Sequence, residues 1–190
     1  MFSIGQISEE QRLVKRLRNG ENGAMQEFYT LYAEQLAGVC ARYIVDKEDM
    51  KDVFQESLVQ IISHICDFNY RGEGSLEAWA TRIVVNESLK FLRTAKQQEL
   101  LLLEQDTTEE PEPEAPQIED ISPEVLHQMV SQLPTNYRTA LNLYTFENKS
   151  HKEIAELLGI KENSSTSLLR RAKDLLAKKI KEYNKQYHPR

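Results

Sequence analysis

Apolar residues recur along most of this chain at spacings of three and four, which is the period of an amphipathic helix rather than the alternation of a strand. Four such segments precede residue 96, and more follow residue 124. Because strand signals are almost missing, the pattern predicts an all-α protein. The positions predicted to face inward on the second and third helices are Phe28, Leu31, Tyr32, Leu36, Val39, Cys40, Tyr43, Val53, Phe54, Leu58, Ile61, Ile62 and Ile65.

Short polar signals predict where several helices begin and end. Ser150 stands three residues before Glu153, so each side chain can bond the other residue's backbone N–H in a capping box. Ser8 begins the first helix in the same way, and Asp46 can cap the third. Gly159 follows an apolar stripe, at the point where the chain must take a left-handed conformation to leave a helix.

The segment from His151 to Lys173 has the spacing of a helix-turn-helix. An amphipathic helix ends at Gly159, and a second helical period resumes from Leu168. The residues between them are mostly polar, and two arginines follow. Spacing alone also fits an ordinary helical hairpin with a solvated face, and that alternative stays open at this point.

Charge is distributed unevenly, although the whole chain has a net charge of −6 and a sequence pI near 5.4. Residues 125–190 carry twelve Lys or Arg against six Asp or Glu, whereas residues 1–96 carry twelve against fourteen. Residues 97–124 contain ten acids and no base. Since the local field decides whether a surface meets phosphate, the basic C-terminal part is compatible with nucleic-acid binding.

The acidic stretch is also rich in proline and lacks aromatic residues, which is the composition of a flexible linker. It predicts two small helical domains, residues 1–96 and 125–190, joined by a linker at residues 97–124. No apolar run approaches the roughly 20 residues of a membrane span, and the N-terminus lacks the pattern of a signal peptide. We therefore expect a cytoplasmic chain.

Catalytic and metal-binding patterns are missing from the sequence. Cys40 and Cys66 are far apart, have no CxxC partner, and are expected to be buried thiols. The histidines are scattered, and there is no glycine-rich phosphate loop, GxSxG or HExxH motif. We predict no catalytic residue, no metal, no cofactor and no enzymatic activity of its own.

The third and fourth predicted helices have opposite chemistry. The third carries an acidic surface that includes an amide, and a loop with aromatic residues separates it from the fourth. At roughly 100° per residue, one narrow arc of the fourth helix carries polar and basic side chains and leaves Glu87 outside it. A solvated face is the alternative for this arc, which consists of Arg82, Asn86, Lys90 and Arg93.

Three stretches taken together resemble the extracytoplasmic-function (ECF) sigma factors, the two-domain branch of the sigma-70 family. They are EDMKDVFQESLVQI, GSLEAWATRIVVNESLKFLR and LPTNYRTALNLYTFENKSHKEIAELLGI. The similarity runs from about Phe28 to Arg93 and again from about Leu133 to Leu176, with the acidic linker between. It implies a sigma region 2-like helical bundle, a region 4-like helix-turn-helix domain, and a transcription initiation factor that directs RNA polymerase to promoters.

In that family the acidic helix binds the clamp of core RNA polymerase. The resemblance assigns this role to the third helix, where Met50 and Lys51 replace the usual Ala-Glu and so alter one acidic contact. The implied polymerase-binding residues are Asp49, Asp52, Gln55 and Glu56.

The loop and the fourth helix resemble the element that melts and reads the −10 promoter region. The resemblance implies that residues 67–75 capture an unstacked base, a step whose cost aromatic and cationic contacts to single-stranded DNA offset. Trp79 is expected in the core rather than as a stacking platform. The implied −10 residues are Phe68, Asn69, Tyr70, Arg71, Arg82, Asn86, Lys90 and Arg93.

The helix from Asn163 onward resembles the recognition helix that enters the major groove at the −35 element. Thr166 stands where relatives often carry a basic residue. Lys161 stands where they often carry a capping Ser, so Asn163 or Ser164 is expected to cap this helix instead. The implied −35 residues are Ser164, Thr166, Ser167, Arg170, Arg171 and Lys173.

The implied partners are core RNA polymerase, promoter DNA and an anti-sigma factor, with no direct insertion into a membrane. Two alternatives are a stand-alone helix-turn-helix regulator and an interaction protein without a DNA role. A regulator needs only the C-terminal domain and would usually dimerise. The sigma interpretation is favoured, because neither alternative needs both the acidic third helix and the basic fourth helix.

Overall fold

A computed structural model of the protein describes residues 7–95 and 121–187. Within these ranges the secondary structure is entirely helical. The chain divides into two compact units, Met1–Phe91 and Leu92–Arg190, which confirms the all-α, two-domain prediction. The helices are α1 (Glu9–Arg18), α2 (Ala24–Tyr43), α3 (Lys47–His64), α4 (Ser75–Ala95), α5 (Pro123–Ser131), α6 (Thr135–Thr145), α7 (His151–Leu158) and α8 (Glu162–Tyr187).

Most of the predicted linker, residues 97–120, lies outside the described residues. Its predicted end does fall within them. Ser122 accepts the N–H of Val125 and caps α5, with Pro123 in the first turn. Glu124 therefore lies in a helix, one residue before the predicted start of the C-terminal domain.

The core of the first unit is formed by the inward stripes of α1 to α4. Its largest fully buried side chains are Tyr43, Phe28, Leu13, Leu36, Ile61, Leu76 and Val84. The prediction was wrong for Leu31 and Ile62, which are 59% and 47% exposed. On a helical wheel, each of these two residues lies about 110° from the centre of the buried side of its helix. A residue at that angle can be spaced three or four positions from buried residues and still be exposed. Small polar residues complete the packing, and the buried hydroxyls of Ser57 and Ser88 donate to their own helices at the Val53 and Val84 carbonyls.

The two cysteines have different environments. Cys40 is buried beside Ser88, and desolvation raises the pKa of its thiol. Cys66 is exposed, so the prediction of two buried thiols was wrong for this residue. Cys66 follows the end of α3, beyond the buried Ile65, and the general tendency of free cysteines to be buried does not hold there.

The second unit packs α5, α6 and α7 against the long α8. A cluster of Leu133, Leu141, Leu169 and Ala172 forms part of its core. Arg138, only 5% exposed, donates to the carbonyls of Ser131 (3.1 Å) and Leu133 (2.9 Å) at the end of α5. Burial lowers the pKa of Arg138, but a guanidinium stays protonated, so these are charge-assisted bonds that hold the α5–α6 corner.

Candidate functional site

The acidic surface predicted on α3 is solvent-exposed along its whole length. Asp46 caps the helix by accepting the N–H groups of Glu48 (2.9 Å) and Asp49 (3.0 Å). Val53 and Phe54 are buried on the opposite side and set the rotation of the helix. All four predicted residues face solvent on the outer side, and we call them the acidic α3 surface: Asp49, Asp52, Gln55 and Glu56.

Sequence reasoning missed an apolar residue beside this surface. Val59 is 52% exposed, and it stands four residues after Gln55 and three after Glu56, so it continues the same face. An exposed aliphatic residue next to acidic and amide groups is the composition of a protein-binding patch with a polar rim. The sequence contained one signal for this exposure, since Val59 lies outside the inward-facing arc of α3.

The basic arc predicted on α4 is also exposed, whereas Leu76, Ala80 and Val84 on the other side are fully buried. We call its members the basic α4 stripe: Arg82, Asn86, Lys90 and Arg93. The helix α4 is therefore rotated about its own axis as the helical wheel predicts, with the basic α4 stripe facing solvent.

Glu87 contacts the basic α4 stripe, although the wheel left it outside. Its carboxylate lies 3.0 Å from the Lys90 ammonium, and the side chain of Glu87 is only 16% exposed. The pKa of Lys90 is raised by this hydrogen bond, by the charge of Glu87, and by the charge of Glu56 on α3. The acidic α3 surface and Lys90 of the basic α4 stripe are thus electrostatic neighbours in the first unit.

The loop between α3 and α4 turns its aromatic residues inward. Phe68 is 5% exposed and packs against Trp79, with 5.0 Å between ring centroids. The Tyr70 hydroxyl lies 2.6 Å from that of Ser8 in a hydrogen bond. Asn69, between Phe68 and Tyr70, and Arg71, directly after Tyr70, are exposed. Of the loop residues predicted to meet a base, the structure therefore buries Phe68, half-buries Tyr70 and presents Asn69 and Arg71.

Two residues of α1 hold this loop at its ends, and sequence reasoning missed both. Glu10 accepts the N–H of Gly74 (2.8 Å) with one carboxylate oxygen and the N–H of Leu76 (3.1 Å) with the other. Arg18 donates to the carbonyls of Ile65 (3.3 Å) and Phe68. No local motif signals such contacts, because each joins residues that are at least 47 positions apart.

In the second unit, local signals fix the turn between α7 and α8. The predicted capping box is present, with the Ser150 N–H 2.9 Å from the Glu153 carboxylate and the Glu153 N–H 3.3 Å from the Ser150 hydroxyl. The Ser150 N–H, the Lys149 ammonium and the Ser150 hydroxyl lower the pKa of Glu153 to about 2. Gly159 ends α7 at a φ of 68°, in the left-handed conformation that the sequence predicts.

A polar cluster joins α6, α7 and α8 behind this turn. His151 Nδ1 lies 3.1 Å from the hydroxyl of Ser165, which is fully buried. The His151 ring stacks on Tyr144 with 5.4 Å between centroids, and the Lys173 ammonium lies 6.0 Å from the Tyr144 centroid. Lys173, predicted as a phosphate contact, therefore has its ammonium near an aromatic ring.

The first turns of α8 present the remaining predicted residues. Thr166 is exposed, and its hydroxyl donates to the Glu162 carbonyl (3.4 Å). Ser167 is half-buried and donates to the Asn163 carbonyl (3.0 Å). These hydroxyl oxygens keep acceptor capacity, whereas arginines can only donate. Ser164, Arg170, Arg171 and Lys173 are likewise half-buried.

Because α8 begins at Glu162, Asn163 and Ser164 lie inside its first turn. The expectation that one of them caps the helix was wrong. In the described ranges, residues 7–95 and 121–187, there is no group of three or more His, Cys, Asp or Glu side chains that could hold a metal ion. Across those same ranges, no helix is both long and apolar enough to cross a membrane.

Comparison with known protein families matches both units. The family model for Sigma-70 region 2 matches residues 28–98, and that for Sigma-70 region 4 matches residues 124–176. Together they cover more than half of the chain.

Curated relatives match over nearly their whole length. The chain is 26% identical to the RNA polymerase sigma-H factor of Pseudomonas aeruginosa, over 90% of this chain and 94% of that protein. It is 28% identical to the ECF RNA polymerase sigma-E factor of Haemophilus influenzae, over 90% and 95% respectively. It is also 27% identical to the ECF RNA polymerase sigma factor SigM of Bacillus subtilis, over 80% and 92%.

A solved structure, that of CnrH in complex with the cytosolic domain of CnrY, aligns with a TM-score of 0.47 and 20% identity, over 90% of this chain and 96% of that one. The family matches and the curated relatives agree with the order of the helical units along the chain. The chain belongs to the sigma-70 family, within its extracytoplasmic-function group, and is a sigma factor for transcription initiation.

Proposed function

We propose that this sigma factor binds core RNA polymerase through the acidic α3 surface and directs it to promoters through −10 contacts of the first unit and −35 contacts of the second. The observation that carries the proposal is the pair of exposed surfaces of opposite charge on α3 and α4. One suits a protein partner with basic groups, and the other suits DNA. The protein would have no catalysis of its own, since the polymerase performs the chemistry, and it would act in the cytoplasm.

The polymerase contact rests on the chemistry of α3. Asp52 and Glu56 supply charge for steering and register, while Gln55 can both donate and accept hydrogen bonds. Val59 adds an exposed aliphatic surface that becomes buried when a partner covers it. Lys51 pairs with Glu48 at 2.9 Å, so the basic residue that departs from the family pattern is directed toward an acid of its own helix.

The −10 contact rests on the α3–α4 loop and the basic α4 stripe. Arg82 and Arg93 can follow the phosphates of a single strand, and Asn86 can bond a base edge or a phosphate. In the loop, Asn69 and Arg71 are the exposed groups for an unstacked base. Phe68 and Trp79 form the apolar support beneath them, so base capture relies on polar and cationic contacts more than on stacking.

The −35 contact rests on the first turns of α8. Thr166 is the most exposed hydroxyl of the set, Ser167 is the next residue, and Arg170 lies one turn beyond Thr166. Arg170 can bond guanine in a bidentate manner, and hydroxyl oxygens can accept from base amino groups. Arg171 and Lys173 suit the flanking phosphates.

Purified components test this proposal. The chain is mixed with core RNA polymerase, and co-elution and transcription are measured on promoters with systematically changed −10 and −35 sequences. We expect a stable complex and transcription that depends on both elements. Specific DNA binding by the chain without polymerase, with no co-elution, would instead support the stand-alone regulator.

Regulation by an anti-sigma factor belongs to the same proposal and rests on the family resemblance. Such a partner would cover the polymerase-binding surface, so its binding and that of core polymerase would be mutually exclusive. Affinity capture with the tagged chain, followed by competition with purified core polymerase, measures this directly. Simultaneous binding of both would contradict the proposal for this partner.

A further inference from the structure

Residues at the N-terminal end of the first unit reach the α3–α4 loop from outside it. Ser8 bonds Tyr70, Arg18 bonds the carbonyls of Ile65 and Phe68, and Glu10 bonds the end of the loop. These bonds span 47 to 66 positions of the sequence. They fix the loop at its start, its middle and its end.

We infer that α1 is a positioning element for −10 recognition, and that Glu10 sets base preference by holding the shape of the α3–α4 loop. The inference rests on the proposed −10 role of that loop. Glu10 is a positioning residue, because it acts through the loop backbone and not on DNA.

Glu10 supplies the capping side chain that the start of α4 lacks. The first N–H groups of a helix have no partner within the helix, and a capping side chain usually accepts one of them. The residue before α4 is Gly74, which has no side chain and adopts a φ of 81°. The Glu10 carboxylate takes this place, accepting from Gly74 and Leu76, and its charge suits the positive end of the helix dipole.

The carboxylate is itself held in place. The Tyr32 hydroxyl bonds Glu10, and the pKa of Tyr32 is raised to about 12 by burial, by the charge of Glu10 and by the charge of Glu77. The Ser75 hydroxyl lies 3.4 Å from the carboxylate, and its oxygen accepts the Arg71 N–H at 3.2 Å. A chain of bonds therefore runs from α1 to the backbone of Arg71, one of the two exposed groups proposed to meet the base.

Arg18 acts at the other end of the loop. Its guanidinium holds the carbonyls of Ile65 and Phe68, just after α3 ends. Asn69 and Arg71 lie between this anchor and Glu10. Since a pre-organised loop loses less conformational freedom on binding, releasing either anchor should weaken base capture without touching the polymerase surface.

The test compares variants of the full chain assembled with core polymerase. Glu10→Ala removes the cap, and Glu10→Gln keeps an acceptor of the same size without the charge. The matched control is Glu9→Ala, an exposed acid on the same turn of α1. We measure core affinity, affinity for single-stranded −10 oligonucleotides with each base substituted, and hydrogen exchange at Gly74 and Leu76.

We expect Glu10→Ala to reduce discrimination between the preferred and substituted bases by about fivefold, the effect of one lost helix cap. Glu10→Gln should retain part of the discrimination that Glu10→Ala loses. Core affinity should change by less than about twofold, and exchange at the two amides should accelerate. Glu9→Ala should leave discrimination and exchange unchanged.

Failure of the inference is distinguishable from failure of the proposed function. If the wild-type holoenzyme shows no −10 preference, the proposed function is wrong. If it discriminates and Glu10→Ala accelerates exchange yet discriminates equally well, Glu10 has only a structural role and the inference is overturned. Should Glu10→Ala fail to fold, Glu10→Gln and Arg18→Ala take its place, and unchanged discrimination in both would overturn the inference equally.

Discussion

The two units of this protein reach their functional shapes by different routes. In the second unit, residues close together in the sequence set the helix-turn-helix, through the capping box of Ser150 with Glu153 and the left-handed Gly159. In the first unit, the loop before α4 is held by side chains such as Glu10, more than sixty positions away. Contacts between neighbouring residues can be recognised in a sequence, whereas contacts between distant residues appear only when the helices are packed.

The units also differ in how charge is arranged. The helical part of the second unit is basic, with six more basic than acidic residues between 125 and 190. Residues 1–96 are nearly neutral in sum but carry an acidic surface on α3 and a basic stripe on α4. Net charge therefore identifies a DNA-binding candidate in one unit and hides it in the other.

The largest expected effect concerns the acidic α3 surface. Changing Asp52 and Glu56 to Lys should abolish binding to core polymerase, because like charges across an interface cost several kcal/mol. Both side chains are exposed, so the unit should stay folded. Co-elution measures binding, and circular dichroism checks the fold.

The control for this change is Glu34→Lys, which reverses an exposed acid on α2 of the same unit. It is compared with the single Asp52→Lys variant at equal net charge. Normal co-elution of a folded Asp52→Lys, Glu56→Lys double variant would remove α3 from the polymerase interface.

A smaller effect separates residues of α8. Arg171→Ala should weaken binding to all promoters and reduce the salt slope by roughly one, as expected for a lost phosphate contact. Ser167→Ala or Arg170→Ala should instead change preference among −35 variants, by about 1–3 kcal/mol for a bidentate Arg–guanine pair. Promoter use by holoenzyme, across base substitutions and salt concentrations, distinguishes these outcomes. If no variant changed affinity or preference, this face of α8 would be an ordinary solvated surface.

Two glycine substitutions test whether the conformation of the turn residue itself sets the helix-turn-helix. Gly159→Ala should destabilise the second unit by about 1–2 kcal/mol, because a Cβ is disfavoured in the left-handed region. Beyond the two neighbouring residues, a Cβ there would meet no atom within 4 Å, so the cost is local backbone strain and not a clash with the rest of the fold. Gly38→Ala is the control, since Gly38 lies within α2 with equal space around it and should stabilise the first unit by about 0.5–1 kcal/mol.

Urea unfolding, with hydrogen exchange followed in each unit separately, measures both glycine variants. Effects of opposite sign in the two units are expected, with the larger effect at Gly159. A neutral result at Gly159 would mean that packing, and not the turn residue, sets the angle between α7 and α8.

The smallest effect is a pH dependence of the second unit. The pKa of Glu153 falls from an ordinary 4.5 to about 2, so its contribution to stability is present above pH 4.5 and is lost as the pH falls toward 2. The side chain is 46% exposed, and solvent screening keeps this contribution small. Wild type should therefore exceed Glu153→Gln in thermal stability at pH 6, and the difference should shrink by pH 3.

Glu156→Gln serves as the control for this pH dependence, because Glu156 is an exposed acid on the same helix. The difference in thermal stability between Glu156→Gln and wild type should not shrink between pH 6 and pH 3. A constant difference between wild type and Glu153→Gln from pH 6 to pH 3 would show that the carboxylate charge is not what stabilises the start of α7.

Much of the fold and part of the candidate site follow from sequence patterns that act over one or two helical turns. Helical period, the Asp46 and Ser150 caps and Gly159 are of this kind, as are the exposure of the acidic α3 surface and of the basic α4 stripe. Each depends only on neighbouring backbone groups or on which side of one helix is apolar. The family resemblance added the order of the units and their role.

Packing decided the features that depend on distant partners. It buried Phe68 against Trp79 and left Cys66, Ile62 and Leu31 exposed. It also placed Glu10 and Arg18 at the ends of the α3–α4 loop, where residues tens of positions apart in the sequence become neighbours. The sequence by itself determined the helices and the sides that they bury, because those depend on near neighbours. Tertiary structure alone decided the shape of the loop proposed to read DNA, because its hydrogen-bond partners come from another helix.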